Sequence, residues 1–367
     1  MLRFALPEIR KEPVWYRQRE AAMHTLNTGI MDDKIEIGHG SGGLMTQKLI
    51  HEVFMKHFDN EWLRAEGDSA IVESTHKKIA FTTDSYVINP LFFPGGDLGK
   101  LAVCGTVNDL AVTGARPGYL TAGFIIEEGF SFESLEAIVK SMKAEADNAG
   151  VCIVAGDTKV VEKGKADQIF INTSGVGFVD NLHSSLAGGG LIKDGDVVFL
   201  NGTVGDHEAA IINAREGFFE SAGLVSDCAS FNGMIRRLLD QTDTVRFMRD
   251  ITRGGLAGIL HEVAQMTSLG FEIEENKIPV GESVQAFCEA LGYEPLHMAC
   301  EGKCIVIAHE SESGRVEAIM KNHEYGKNAA RIGKVTQKHP GEVVLETIAG
   351  GRRLLEPPRE AKVPRIC

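Results

Sequence analysis

The sequence predicts two α/β or α+β domains followed by a short C-terminal arm. A chain of 367 residues that is 43% hydrophobic and 24% charged has enough apolar residues for about two domains with their own cores. Runs typical of strands alternate with apolar residues at helical spacing in both halves. The glycine-rich residues 187–190 separate these halves. We therefore predict domains at 31–187 and 188–348, an N-terminal extension at 1–30 and a mobile tail at 349–367.

The first half begins with a short strand and a glycine loop. Residues 34–37 form the predicted strand and residues 38–43 the loop, after which apolar residues recur at helical spacing from Leu44 to Phe58. Ser131 is a typical N-cap and predicts a helix start. The other predicted elements are strands at 79–83 and 86–88, a helix near 98–113, a strand near 119–126, a helix at 132–149, and strands at 151–155 and 168–178.

The second half opens with the apolar strand Asp196–Leu200. Three helical patterns and three further strands follow it, so the order of elements again mixes both types. The predicted helices lie near 206–216, 226–240 and 255–268, and the predicted strands lie around 271–274, 304–308 and 329–335.

The charge of the chain limits its partners. With 38 Lys and Arg against 51 Asp and Glu, the net charge is −13, which repels the phosphates of nucleic acids and anionic lipids. No apolar run approaches the roughly 18 residues that cross a bilayer, and residues 1–30 lack the pattern of a signal peptide. We predict a cytoplasmic protein that binds neither nucleic acid nor membrane.

The cysteines indicate a reducing compartment. Their number is odd and no C-x-x-C pair occurs, which argues against a disulfide framework and against a four-thiolate zinc site. The closest pair, Cys300 and Cys304, could form a regulatory disulfide or part of a metal site, but two buried thiols are favoured. The seven cysteines are residues 104, 152, 228, 288, 300, 304 and 367.

The last residue of the sequence, Cys367, is its most informative feature. Residues 356–364 contain three prolines and no apolar period, so they predict an extended arm beyond the folded elements. From Gly350 such an arm could span on the order of 50 Å. The simpler interpretation is a frayed end that happens to finish in cysteine. The alternative is a thiol that the arm carries into and out of an active site.

The glycine loop is a candidate phosphate site. Its residues stand between a strand and a helix, where backbone amides and the helix N-terminus favour an anion. The loop lacks the G-K-[ST] of a Walker motif and the spacing of a Rossmann motif, so a purely structural turn is equally compatible. The loop reads Gly38-His39-Gly40-Ser41-Gly42-Gly43.

Four aspartates stand where strands end or loops begin, and carboxylates in such places suit Mg²⁺ bound together with nucleotide phosphates. Each alone could be a turn or cap residue. Asp109 lies in a largely apolar helical stretch, where a buried carboxylate needs a partner such as a cation. The four are Asp84, Asp109, Asp157 and Asp250.

Two further residues are candidates for acid–base or phosphate chemistry. Lys159 follows Asp157 closely enough to serve the same phosphates, although a solvated lysine is the usual alternative. Glu301 precedes an apolar strand and is a candidate general base, with a surface salt bridge as the alternative.

Together these segments resemble the PurM-like, AIR synthase-related superfamily of ATP-using enzymes and, within it, the HypE family of hydrogenase maturation factors. The resemblance runs from about Ile35 to Cys367, and only the Pro-Arg-Ile-Cys ending is specific to the HypE family. The segments that carry it are His39–Gly43, Thr83–Ile88, Pro90–Gly96, Gly156–Val160, Thr252–Gly255, Glu301–Lys303 and Pro364–Cys367.

The resemblance implies a PurM-like two-domain fold, in which the N-terminal domain binds ATP and forms the sheet of a homodimer. It also implies a reaction: HypF delivers a carbamoyl group to the terminal cysteine, and ATP drives its dehydration to a thiocyanate. The nitrile becomes a cyanide ligand of the iron in [NiFe] hydrogenase, with a HypC–HypD complex as acceptor.

The resemblance further implies residue roles. Cys367 would be the carrier, Lys159 and Glu301 would act near the carboxamide, and Asp84, Asp109 and Asp250 would hold Mg²⁺ with ATP. The implied ATP-binding residues are His39, Gly40, Ser41, Gly42, Gly43, Asp84, Asp157, Thr158, Thr252, Arg253 and Gly254.

The chain departs from the family pattern in two places. Residues 1–30 exceed the usual family start, and Glu208 stands where the family often has glycine, so we assign no role to His207 from the sequence.

Three alternative functions remain open. One is a selenophosphate synthetase, which would need a reactive cysteine or selenocysteine near the glycine loop, whereas no cysteine precedes Cys104. The others are a thiamine monophosphate kinase and a nucleotide-switched scaffold that binds without turnover.

Overall fold

The computed structural model describes residues 34–40, 44–64, 78–219, 223–252, 254–357, 363 and 365–367. Across these residues no helix is long and apolar enough to cross a membrane. The predicted extension at 1–30 and loop residues 41–43 lie outside the described residues.

The N-terminal half contains a four-stranded sheet and the helices that cover it. Helix α1 (Leu44–Leu49) continues without a break through a π-helical turn (Ile50–Met55) to Phe58, as the apolar spacing predicts. The other helices are α2 (Glu61–Arg64), α3 (Leu98–Val112) and α4 (Phe132–Ala149). The strands are β1 (Lys78–Tyr86), β2 (Phe92–Phe93), β3 (Gly96–Asp97), β4 (Ala115–Glu127), β5 (Cys152–Val161) and β6 (Ile169–Val179).

The sheet has the order β1-β6-β4-β5, in which only β4 and β5 are parallel. Alternate residues of a strand point to opposite faces, so one face of the sheet packs on α3, whereas no described helix packs on the other, which we call the open face. The open face carries Ile79, Ile125 and Phe81, whose exposed fraction is 73%. This apolar surface is unusual for a face in contact with water.

The predicted strand at 34–37 is wrong. Lys34 makes a single bridge to Ser131, and residues Ile37–Gly40 form a 3₁₀ turn. The Ile35 amide and carbonyl are instead satisfied by Phe130 and Gly129, in the turn before α4, so no room is left for a longer ladder.

The C-terminal half contains a seven-stranded sheet with the order β13-β12-β9-β11-β7-β10-β8. Its strands are β7 (Val197–Leu200), β8 (Val245–Asp250), β9 (Gly270–Glu274), β10 (Cys304–Ala308), β11 (Ala330–Thr336), β12 (Val343–Glu346) and β13 (Arg352–Leu354). Its helices are α5 (Asp206–Glu216), α6 (Asn232–Gln241), α7 (Gly255–Thr267), α8 (Glu282–Leu291) and α9 (Ser313–Lys321).

Strand β7 shows how this sheet is buried on both faces. Val198 and Leu200 join a core that includes α7, whereas Val197 and Phe199 join a second core with α6 and α9. All four residues are fully buried, which explains the continuous apolar run that predicted this strand. The sheet extends through β13, so the first part of the predicted tail is an edge strand.

The two halves meet along helix α3, which packs on α6 and β8. The buried amide of Asn108 donates to the carbonyls of Ala229 (2.9 Å) and Glu301 (3.3 Å), while its oxygen accepts from the Phe231 amide. The predicted helix at 226–240 therefore begins only at Asn232. Residues 226–231 form an irregular segment that carries contacts between the two halves.

The end of the tail lies against the N-terminal half. The Val87 amide donates to the main-chain oxygen of Cys367 (3.1 Å), and the Asn89 amide donates to the carbonyl of Arg365 (3.2 Å). Ile366 is buried in the core of the N-terminal half. The predicted arm is thus docked along residues 87–89 in this structure, and its mobility stays a prediction.

Candidate functional site

A cavity of about 680 Å³ lies where the two halves meet, and the docked tail reaches it. Acidic residues from three elements converge there, because β1 and β8 end at the cavity and α3 runs between them. Cys367 lines the same space. The structure therefore brings together five predicted site residues from distant parts of the chain: Asp84, Asp109, Asp250, Glu301 and Cys367.

The carboxylates of this cavity repel one another. Burial, and then the neighbouring charges of Asp250 and Asp84, raise the pKa of Asp109 to about 7, although the Thr82 hydroxyl donates to it at 2.8 Å. Like charges that share a low-dielectric site resist ionisation together. A cation placed among them would remove this cost.

The described residues contain no ready-made metal centre, since no three His, Cys, Asp or Glu side chains stand close enough together to hold an ion. The oxygen donors of Asp84, Asp109 and Asp250 nevertheless suit Mg²⁺, which usually takes only one or two protein carboxylates and completes its shell with water and phosphates. Their mutual repulsion supports the same fit.

Glu301 is buried, with 4% of its surface exposed. Burial and then the charges of Asp227, Asp250, Asp84 and Asp109 raise its pKa well above the usual range. Its position is fixed through its backbone, because the Glu301 amide donates to the Asp227 carboxylate at 3.0 Å. A surface salt bridge, the alternative interpretation of this residue, is therefore wrong.

The loop that carries Glu301 is held by a buried ion pair. The Asp227 carboxylate accepts from the amides of Glu301 and Gly302 and lies 3.0 Å from the Lys303 ammonium group. The exposed fractions of the Asp227 and Lys303 side chains are 4% and 13%. The sequence did not indicate this ion pair, because Asp227 belongs to no recognisable motif and could equally be an ordinary loop aspartate.

Tyr86 is a cavity residue that the sequence analysis missed. Its buried hydroxyl lies 3.3 Å from both the Asp84 carboxylate and the Thr106 hydroxyl. Only glycine fits at position 105, because a methyl group there would collide with the Tyr86 hydroxyl. The sequence offered one signal, a glycine within the apolar helix α3, which often marks a close approach.

Several side chains hold the tail beside the cavity. Arg215, on α5, donates to the carbonyls of Asn89 and Arg365, at 2.9 and 2.8 Å. Arg365 donates in turn to the Val87 carbonyl at 2.9 Å and pairs with Asp167. His207 contacts the Ile366 carbonyl at 2.6 Å. The sequence analysis assigned no role to His207, and the structure places its side chain against the tail.

The other predicted residues lie at a second cavity, of about 370 Å³, on strand β5. Asp157, Thr158 and Lys159 line it, and Lys159 pairs with Asp157 at 2.9 Å. The Asp157 pKa is lowered, first by this hydrogen bond. Lys159 therefore does not share a cavity with Glu301 and Cys367 within one protomer.

The sheet register gives the separation of the two cavities. Asp84 on β1 stands opposite Thr173, which is followed across the sheet by Ala122 and by Gly156 on β5. Three strand spacings separate the ends of this row, so Asp84 and Gly156 are about 14 Å apart. A lysine side chain on β5 is too short to bridge that distance.

The two predicted nucleotide-binding segments, residues 38–43 and 252–254, also lie in different places. His39 is buried, takes a hydrogen bond from the Glu36 amide and packs edge-on against Phe132 with ring centroids 5.0 Å apart, which gives it a structural role. Gly40 ends the same 3₁₀ turn, whereas Ser41, Gly42 and Gly43 lie outside the described residues.

The second glycine segment stands at the first cavity. Thr252 lines it, and Gly254 takes a left-handed conformation with φ +79° to begin α7. Arg253 lies outside the described residues. Cys300 and Cys304 are both buried free thiols, as the favoured interpretation held.

Comparisons with known proteins agree with this geometry. Models of the N-terminal and C-terminal domains of AIR synthase related proteins match residues 66–179 and 193–346. The carbamoyl dehydratase HypE of Azotobacter vinelandii is 44% identical over 339 residues, which cover 92% of this chain and 98% of the relative.

Two solved structures extend the comparison. The hydrogenase maturation protein HypE in complex with ATP aligns with a TM-score of 0.87 and 42% identity over 90% of this chain and 99% of that one. A chain of a HypE–HypF complex aligns with a TM-score of 0.73 and 48% identity over 84% of this chain and 99% of that one. The chain therefore belongs to the AIR synthase related proteins and, among them, to the HypE family of carbamoyl dehydratases.

Proposed function

We propose that this protein uses ATP to convert a carbamoyl group on Cys367 into a thiocyanate, which supplies cyanide ligands to the iron of [NiFe] hydrogenase. The observation that carries the proposal is the docking of Cys367 into the cavity lined by Glu301 and the three aspartates. A solved HypE relative binds ATP, which supports the choice of nucleotide.

The reaction explains why a nucleotide is needed. Hydroxide is a poor leaving group, so the carboxamide oxygen of the S-carbamoyl cysteine first takes the γ-phosphoryl group of ATP and releases ADP. The oxygen then departs as phosphate, while the nitrogen loses its two protons and the carbon–nitrogen triple bond forms. Phosphoryl transfer needs positioning and charge neutralisation more than covalent chemistry from the protein.

Glu301 is suited to take a proton from the carboxamide nitrogen. Burial, and then the neighbouring carboxylates, raise its pKa, which makes the ionised form a stronger base. A cation bound among those carboxylates would favour that ionised form. Asp227 fixes the loop backbone at Glu301, which limits the directions that the side chain can take.

Asp84, Asp109 and Asp250 would hold Mg²⁺ together with the ATP phosphates. When bound, Mg²⁺ supplies positive charge that offsets the charge on the transferring phosphoryl group. The protein's own contribution is to keep these carboxylates on rigid elements around the docked tail.

Partners follow from the chemistry of the carrier. We assign HypF as the donor of the carbamoyl group, which the solved HypE–HypF complex of a relative supports. We assign a HypC–HypD complex as the acceptor of the cyanide. Both steps take place in the cytoplasm and both need Cys367 outside the cavity, so the tail must undock twice in each cycle.

A homodimer would complete the site. The open face of the N-terminal sheet, with Ile79, Phe81 and Ile125, is the surface that a second copy would cover. Lys159 and Asp157 are too far from the carboxylate cavity of their own protomer, so we assign them, with the glycine loop, to the cavity of the other protomer. Lys159 would then meet the phosphates from the opposite side.

The test is the mass of the C-terminal peptide after incubation with ATP, Mg²⁺, carbamoyl phosphate and HypF. Proteolysis after Glu360 releases Ala361–Cys367 as one fragment. We expect carbamoylation of Cys367 and then loss of one water that depends on ATP, with Cys367→Ala as the unmodified control.

Two outcomes would oppose the proposal. Carbamoylation without loss of water would leave a carrier or scaffold, and an unmodified cysteine beside active HypF would direct attention to other ATP enzymes of the same fold.

A further inference from the structure

His207 stands between the tail and the loop that carries Glu301, and the reaction steps proposed above do not use it. Its side chain is fully buried on α5. One ring nitrogen, Nε2, lies 2.6 Å from the Ile366 carbonyl oxygen, and the other, Nδ1, lies 2.7 Å from the Ser226 hydroxyl. The ring also packs edge-on against Phe93. A buried histidine with two short hydrogen bonds is held in one orientation.

The partners determine which nitrogen carries the proton. A carbonyl oxygen only accepts, so Nε2 must donate to Ile366. In the neutral ring Nδ1 then accepts, and Ser226 must use its single hydroxyl proton on it. Ser226 keeps a lone pair for the Cys228 amide, which donates at 3.1 Å. Every polar atom in this chain of contacts is therefore satisfied only when Ile366 is docked.

Residues next to Ser226 also contact the loop that carries Glu301. Asp227, next to Ser226, accepts from the Glu301 and Gly302 amides. Residues 226–228 thus touch the tail through His207 on one side and the loop of Glu301 on the other. One short segment of the chain, residues 226–228, therefore links the docked position of Cys367 to the position of Glu301.

We propose that His207 is a positioning residue that holds the tail in the cavity through the Ile366 carbonyl, and that residues 226–227 align the docked tail with Glu301. The hydrogen bond from His207 goes to a main-chain carbonyl, so it can form whether Cys367 is a free thiol, a thiocarbamate or a thiocyanate. Without it, the Ile366 carbonyl would be buried unpaired, and the docked state would lose population to the undocked one.

The first test needs no activity. Cys367 is alkylated with iodoacetamide, and the rate is followed by the mass of the fragment Ala361–Cys367. If alkylation requires undocking, His207→Leu should raise the rate constant about tenfold, the usual worth of a lost buried hydrogen bond. His207→Gln, which retains an N–H donor, should stay within about twofold. Ser226→Ala should show an intermediate rise, because it frees Nδ1 to take the proton.

Cys152 serves as the internal reference, because it is a free cysteine on β5, at the opposite edge of the sheet from β1 and the tail. It lies in the same row of the sheet as Phe81, so its alkylation rate also reports whether the proposed dimer stays closed. Its alkylation should be the same in all variants. An unchanged rate at Cys367 in both folded His207→Leu and Ser226→Ala would overturn the proposal. So would an equal acceleration at Cys152, since that would indicate general loosening.

A second measurement rests on the proposed function. His207→Leu should slow single-turnover dehydration about tenfold while carbamoylation by HypF, which needs an undocked tail, is unchanged or faster. Equal slowing of both steps would contradict a positioning role. If the wild-type chain performs neither step, the proposed function fails, and the alkylation result still decides the role of His207.

Discussion

At the scale of the residue, the site depends on buried groups whose charge is costly. Glu301 and Asp109 both have raised pKa values because they share a buried space with other carboxylates. Buried carboxyl groups with raised pKa values are concentrated at functional sites, where they transfer protons or share a bound cation. Without a bound cation these buried carboxylates lower the stability of the fold, and a cation bound among them would offset this cost.

Glu301→Gln should separate the two half-reactions. The amide keeps the size of the side chain but cannot take a proton, so dehydration should fall by about 100-fold or more. Carbamoylation of Cys367 by HypF should be unchanged. Single-turnover mass spectrometry of the C-terminal peptide measures both steps.

The control is Glu262→Gln, which removes a carboxylate from the same cavity where the side chain is largely exposed. This variant should dehydrate at close to the normal rate. Equal loss in both variants would mean that total negative charge matters and that Glu301 is no specific base.

Single residues were predictable where a motif carried them. Asp84, Asp109, Asp250, Glu301 and Cys367 stand in recognisable segments, and the fold brings them to one cavity. His207, Tyr86 and Asp227 act through a carbonyl, a hydroxyl and backbone amides that only the folded chain supplies. Sequence alone could not show those partners, because they come from residues far apart in the chain.

At the scale of the element, contacts between the halves decide local structure. The helix at 132–149 was predictable because its cap, its apolar spacing and Gly150 all agree. Residues 226–231 do not form a helix because the amides of Ser230 and Phe231 bind Glu145 and Asn108. In the same segment, the Asp227 carboxylate accepts from the amides of the loop that carries Glu301. The strand at 34–37 failed because its partners lie in a turn. Both errors come from tertiary hydrogen bonds that override local preference.

Lys303→Met should destabilise the protein strongly, because it leaves the Asp227 carboxylate buried without its cation. We expect a loss of about 3 kcal/mol in the free energy of unfolding, measured by urea denaturation. The double variant with Asp227→Asn should recover part of this loss, since no charge is then stranded.

Lys334→Met is the matched control at the pair with Glu272, which is less buried: the exposed fractions of the Lys334 and Glu272 side chains are 54% and 19%. Its removal should cost less than about 1 kcal/mol. Similar losses in the Lys303 and Lys334 variants would show that the buried pair contributes no more than a surface one.

At the scale of the whole molecule, one protomer presents half of the predicted site at each of two cavities. The strand order puts Asp84 and Lys159 on opposite edges of one sheet, and an apolar face lies open between them. A second copy that covers this face would bring the two sets of residues together, which is the arrangement we propose for the dimer.

Mixing two inactive variants tests this arrangement. Lys159→Ala and Glu301→Ala should each abolish dehydration, yet dimers that contain one of each would hold one intact site if the site is shared. After subunit exchange at equal amounts, we expect about a quarter of the wild-type rate.

Size-exclusion chromatography with light scattering confirms that the mixture is dimeric. If the mixture stays inactive although mixed dimers are present, each site is built within one protomer, and Lys159 has another role.

The docking of residues 365–367 along residues 87–89 makes the enzyme its own substrate. Main-chain hydrogen bonds dock the carrier beside the cavity. The covalent link to the rest of the chain sets its effective concentration at about millimolar or above, and dilution does not change that value. Dehydration therefore needs no encounter with a separate carrier protein, and ATP is the only reactant with a Michaelis constant for this step. The rate per dimer stays the same on dilution for as long as the proposed dimer holds together, and the nitrile forms without leaving the protein.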